Sequence, residues 1–209
     1  MAYNRFPITN VEGDLVAQHR DPDEKLYASL ELNQVAFPKT GMVVSQTPLG
    51  AAFTKAAPCE NGMWVVGDKA AGAINPPEAA TDAPIGIVYT TEKEYDDYHM
   101  GLQRFGRKVA GDYPRVGLLG VGDTVTTNCL QYSTSNFAND AALWAALEKI
   151  DTNPLYVVPG VNTDASADSA KAVPEIVKSA PVSGIYAKIV KYYTIPNGGK
   201  GVKYQIIRI

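Results

Sequence analysis

A chain of 209 residues with a formal net charge of −3 has room for a sizeable core. It holds no run of Lys or Arg long enough to neutralise a row of phosphates, which argues against nucleic acid as a partner. Hydrophobic residues at 45% and charged residues at 20% lie in the range of chains that fold, away from disordered compositions. No segment approaches the ~20 apolar residues of a membrane helix. The opening Met1-Ala2-Tyr3-Asn4-Arg5-Phe6-Pro7 has no apolar stretch of the signal-peptide kind, so folding in a cytoplasm is expected.

Residues 1–24 carry Pro7, Gly13, Pro22 and a charge cluster from His19 to Glu24 with little periodicity, and they read as an extended N-terminal arm. In the next segment Leu26, Ala28, Leu30 and Leu32 alternate with Tyr27, Ser29 and Glu31, the pattern of a half-buried strand. From 41 to about 130 the pattern is short β-branched and aromatic runs broken by Gly, Pro and Asn. The runs are Met42–Val44, Met63–Val66, Ile85–Tyr89 and Val116–Val121. Such strands, with turn signals and no helices between them, predict a sandwich or a partly closed barrel and argue against βαβ units. The stretch 70–80, with Pro76-Pro77, reads as a loop because paired prolines cannot join a ladder.

Helical spacing is clearest over 139–150, where Asn139 or Ser135 can cap and Asp140 complements the N-terminal dipole. Leu143, Ala146, Leu147 and Ile150 then share one face, and Pro154 ends the run. Fainter helical patterns cover 92–105 and 167–171. At the C-terminus Ile185, Ala187 and Ile189 alternate with polar neighbours, Pro196 to Gly201 turns the chain, and Val202–Ile209 returns as the second arm of a hairpin. The expected class is therefore mainly β, with one or two short helices and a C-terminal β-hairpin, α+β by content. The expected divisions are an arm at 1–24, a β-rich body at 25–132, and a helix-plus-hairpin region at 133–209, separate from the body or continuous with it.

Chemistry-bearing residues are sparse. Two histidines, His19 and His99, stand in no metal-ligand spacing, and His99 beside Asp96 and Asp97 is the one grouping on which a hydrolase reading would rest. Gly117, Gly120 and Gly122 have the reverse spacing of a dinucleotide fingerprint with no helix after them, so strand bends or bulges are expected there. Asp164, Ser166, Asp168 and Glu175 match positions of a calcium loop, but Ser169 sits where that loop needs glycine and Pro174 disrupts the helix that should flank it. Cys59 and Cys129 have no CxxC spacing and read as free, inert thiols. No catalytic residue, metal or cofactor is expected.

The succession Gly41-Met42-Val43-Val44, Ala52-Phe53-Thr54-Lys55-Ala56, Pro84–Tyr89 and Val116–Asn128 resembles the head decoration and auxiliary capsid proteins of tailed bacteriophages, over about residues 41–130. The resemblance implies a virion protein on the capsid surface, assembled in the bacterial host cytoplasm and binding the major capsid protein. It also implies a homo-oligomer, the trimer being a common form, and an N-terminal arm that adds a strand to the shell. On that reading Tyr3, Arg5, Phe6, Ile8 and Val11 contact the partner. Twelve tyrosines and two tryptophans against five phenylalanines supply amphipathic rings suited to interfaces. A carbohydrate- or receptor-binding module on a tail or fibre is the alternative.

Overall fold

Where the sequence places β-branched and aromatic residues between turn formers, strands do form, and they are held in two sheets that share a core. The structure is a computed structural model, describing residues 3–5, 34–36, 43–44, 47–54, 57–68, 72–78, 85–89, 109–160, 172–194 and 200–209. Strands are numbered in chain order. The larger sheet has eight, in the spatial order β1 (Tyr3–Arg5), β9 (Gln131–Ser133), β11 (Glu175–Val177), β10 (Tyr156–Val158), β12 (Tyr186–Thr194), β13 (Lys200–Arg208), β8 (Thr124–Thr127) and β2 (Gln34–Ala36). The smaller has five, in the order β3 (Val43–Val44), β7 (Val116–Leu118), β6 (Ile85–Val88), β4 (Trp64–Asp68) and β5 (Ala73–Asn75). Their pairings are antiparallel except for β9 beside β11. Among the described residues neither sheet closes on itself, and the two share one core, within the mainly β class expected.

Alternation along the strands assigns each side chain to a layer. Trp64, Ile85 and Ile87 from the smaller sheet meet Val125, Tyr132, Val157, Ile176, Ala187, Ile189, Val202, Tyr204 and Ile206 from the larger one in a single buried cluster. Each such side chain, taken out of water, contributes roughly 1.5–3 kcal/mol before entropy is counted. On the opposite face of the smaller sheet, Val65, Val88 and Val116 pack with Leu49, Phe53, Met63 and Val173, so that sheet is covered on both sides. This accounts for the continuous apolar runs of β4 and β6, which would be unusual in a strand with one wet face. Cys59 and Cys129 are buried in the second cluster. Gly86 is demanded by close packing, because a Cβ there would lie 2.4 Å from Val116 Cγ1 and 3.1 Å from the Gly117 carbonyl oxygen.

The helix α1 (Asp140–Leu147) begins as its sequence requires. Asn139 Oδ1 accepts from the Ala142 N–H at 2.9 Å, and Asp140 lies in the first turn. Leu143 and Leu147 are buried in the shared core with Ala146 and Ile150 packed against it. The Asp140 carboxylate also accepts from the Tyr132 hydroxyl, tying the helix start to β9. After Lys149, whose carbonyl receives the N–H groups of Thr152 and Asn153, Pro154 prevents further helix.

Three differences from the sequence reading have local causes. Within 70–80, expected as a loop, Ala73–Asn75 pairs with β4; the prolines start only at Pro76, and Ile74, fully buried, is anchored by backbone bonds to Pro48 and Gly50. The run expected through Val121 stops at Leu118, because Gly120 to Asp123 form a tight turn. There Asp123 Oδ2 accepts from the Gly120 N–H at 2.7 Å and Gly122 adopts φ 95°, so these glycines make a turn where bends or bulges were expected. Third, β8 to β11 were not anticipated. The strand expected at Leu26–Leu32 and the helical patterns at 92–105 and 167–171 lie outside the described residues.

Candidate interaction surface

The larger sheet turns one face to the core and the other away from it. Register aligns the residues of the face away from the core in rows across the strands: Tyr156, Lys188, Gln205 and Thr124 form one, while Lys191 stands opposite Lys203, itself opposite the buried Thr126. At the end of the hairpin Tyr186 stands opposite Arg208. Two rings and a guanidinium are locked together there, with Tyr156 and Tyr186 edge to face at 5.8 Å between centroids and the Arg208 guanidinium 4.8 Å above the Tyr186 ring. Arg208 is fixed further by donating to the carbonyls of Gly184, Val182 and Pro181 at 2.9–3.0 Å. Farther along β12, Lys191 lies over the Tyr193 ring at 5.1 Å.

Charge on this sheet runs against that of the chain. Its eight strands hold Arg5, Lys188, Lys191, Lys200, Lys203 and Arg208 but a single acid, Glu175, in a protein whose net charge is −3. Lys200 points away from this group and stacks over Trp144 of α1 at 4.0 Å. Glu175 is engaged locally, accepting from Asn136 Nδ2 at 3.2 Å. Burial lifts its carboxyl above the usual range, and hydrogen bonds from Ser133 and Asn136 offset part of that. Like charges directly opposite in an antiparallel pair are unfavourable by some tenths of a kcal/mol, so the Lys191 and Lys203 pair weakens the hairpin.

Apolar side chains accompany the cations. Val158 and Val177 are half-buried in the neighbouring strands. The hairpin has two register shifts, leaving Val190 extra on β12 and Ile207 extra on β13; these are 45% and 39% exposed. Ile209 and Val182, close to Arg208, are exposed as well. A face that mixes Tyr, Arg and Lys with uncovered aliphatics has the composition of a protein-binding patch.

Of the residues expected at a partner contact, Tyr3 and Arg5 stand in β1 at one edge of this sheet, in register with Ser133 and Gln131. Phe6, Ile8 and Val11 lie outside the described residues, as do His19, Asp96, Asp97, His99, Asp164 and Asp168. Glu175 sits in β11, bound to Asn136. Beside the C-terminal turn of α1 a cleft of about 480 Å³ is lined by Ala146, Lys149, Asn153, Leu155 and Lys178 among others, with neither an acid nor a histidine in its wall. Among the described residues no group of three or more His, Cys, Asp or Glu is placed to hold a metal ion, and no helix is long and apolar enough to cross a membrane. In comparisons with known proteins, no family model, no curated protein and no solved structure matches this chain.

Proposed function

We propose that this protein is a virion structural protein auxiliary to the capsid, which binds major capsid subunits and holds neighbouring ones together. The observation that carries the reading is the outward face of the eight-stranded sheet, where Tyr156, Tyr186, Lys188, Lys191, Lys203 and Arg208 stand beside exposed Val190 and Ile207. Energy for such a role comes from apolar and aromatic area removed from water between neighbours, and a rigid sheet loses little entropy when it docks. The sequence resemblance to decoration proteins points to the shell as the partner, with a homo-oligomer as the acting form.

A glycan-binding module is the less favoured reading, because sugar recognition uses open ring faces. Here Arg208 covers Tyr186 and Lys191 covers Tyr193. Mixing the purified protein with undecorated bacteriophage heads tests the proposal. The expected result is saturable binding and a gain in the heat resistance of the heads, both lost when Tyr186 and Val177 are replaced together by Ser and Asp. Heads that neither bind the protein nor gain resistance would refute it.

A further inference from the structure

The charge on the docking face goes further than the general role and specifies the partner's chemistry. Resting on the docking role proposed for this sheet, we infer that the outward face of the β12 and β13 hairpin binds an acidic protein surface, one whose carboxylates are interleaved with apolar side chains. Lys188, Lys191, Lys203 and Arg208 stand on two adjacent strands whose backbones lie about 5 Å apart, Lys191 directly opposite Lys203. Among the described residues Arg208 is held by the carbonyls of Gly184, Val182 and Pro181, and no acid of these strands faces the three lysines. Lys191 and Lys203 repel each other directly across the ladder, and the sheet's only acid, Glu175, is bound to Asn136. A partner with carboxylates at matching positions relieves that repulsion and gains charge-assisted hydrogen bonds at the same time.

A polyanion of the other kind, nucleic acid, fits the face less well. Single strands bind by laying bases flat on aromatic rings, whereas Tyr156 and Tyr186 meet edge to face at 74° and the Tyr186 ring is capped by Arg208. The aliphatic groups beside the cations, Val158, Val177, Val190 and Ile207, match the apolar side chains of a protein and have no counterpart along a phosphate backbone. Excess acid elsewhere on the chain, which brings the net charge to −3, repels long polyanions at a distance but is screened in a close, local contact.

The test uses the full chain against three immobilised materials: a random glutamate–tyrosine copolymer, polyglutamate and single-stranded oligothymidine. The expected order is copolymer first, polyglutamate second and oligothymidine last, with binding to the copolymer falling about tenfold or more as salt rises from roughly 0.05 to 0.5 M. Replacing Lys188, Lys191 and Lys203 by Gln should weaken binding about tenfold, and replacing them by Glu about 100-fold, since like charges across a contact are strongly unfavourable. Circular dichroism of each variant confirms the fold, and Lys203→Glu alone, which places opposite charges across the ladder, keeps the test open should the triple variant misfold. Equal binding by the native and Glu-substituted proteins, or tighter binding to oligothymidine, overturns the inference. On undecorated heads, binding that survives the Glu substitutions but is lost with the Tyr186 and Val177 changes refutes the acidic partner and leaves the docking role standing; no binding by any form removes both.

Discussion

Replacing Tyr204 by Phe removes one oxygen from the place where the two sheets are fastened together. Trp64 on β4 donates its indole N–H to the Tyr204 hydroxyl on β13 at 2.8 Å, and both side chains are fully buried. Burial pushes the Tyr204 hydroxyl well above the usual tyrosine range, with the bond from Trp64 opposing it. The substitution leaves the ring in place, 5.8 Å from the indole at 69°, so packing is largely kept and the loss is that of the acceptor. A buried donor without a partner costs about 1–3 kcal/mol. In a protein of this size, about 2 kcal/mol corresponds to a fall in Tm of roughly 4–8 °C. Urea unfolding followed by tryptophan fluorescence and circular dichroism should show a lower midpoint with an unchanged slope. In a Trp64→Phe background the same change should cost at least 1 kcal/mol less, since no donor is then stranded. A loss under about 0.5 kcal/mol, or an equal loss in both backgrounds, would refute the claim that this bond pins one sheet to the other.

Two further outcomes depend on charge. Because the folded protein holds the Glu175 proton more tightly than the unfolded chain does, the stabilisation from that proton is complete below about pH 4.5 and is lost as pH rises through the raised native value. Glu175→Gln should flatten that decline and be at least as stable as the native protein at pH 7, as read from urea midpoints at several pH values; a steeper decline would contradict it. Lys203→Glu turns a repulsive cross-strand pair into an attractive one and should raise stability by about 0.5 kcal/mol while weakening partner binding, so a thermal midpoint that falls would count against the face having been kept for binding.

What could be read from the sequence was whatever a single strand or helix expresses through its own pattern. The Ile185, Ala187, Ile189 alternation and the turn-forming composition of Asn197-Gly198-Gly199 located the hairpin strands, and Asn139 with the Leu143 and Leu147 spacing located α1, because in the strands and the helix local preference and burial agree. Strands β9, β10 and β11 have three residues each, too few for a period to register, and owe their conformation to neighbours far along the chain. The parallel pairing of β9 with β11 is of that kind, as is β5, whose Ile74 is held by Pro48 and Gly50. The proposed docking face is only half visible in the sequence. Lys188 and Lys203 occupy polar positions of the alternation, whereas Lys191 falls in phase with the inward positions of Ala187 and Ile189, and only the register shift at Val190 turns it outward, opposite Lys203.

The two register shifts in that hairpin cancel. Tyr186 pairs with Arg208 and Thr194 with Lys200 on one frame, while Ala187 to Ile189 run on another, offset by a single position. Val190 and Ile207 therefore behave as a matched pair of insertions on opposite arms. Deleting either alone would remove its own bulge and leave the pairs on both sides of it in register, and deleting both would restore an uninterrupted ladder. Each arm can thus lose its extra residue independently, straightening the ladder at that point without moving the lysines from their side of the sheet.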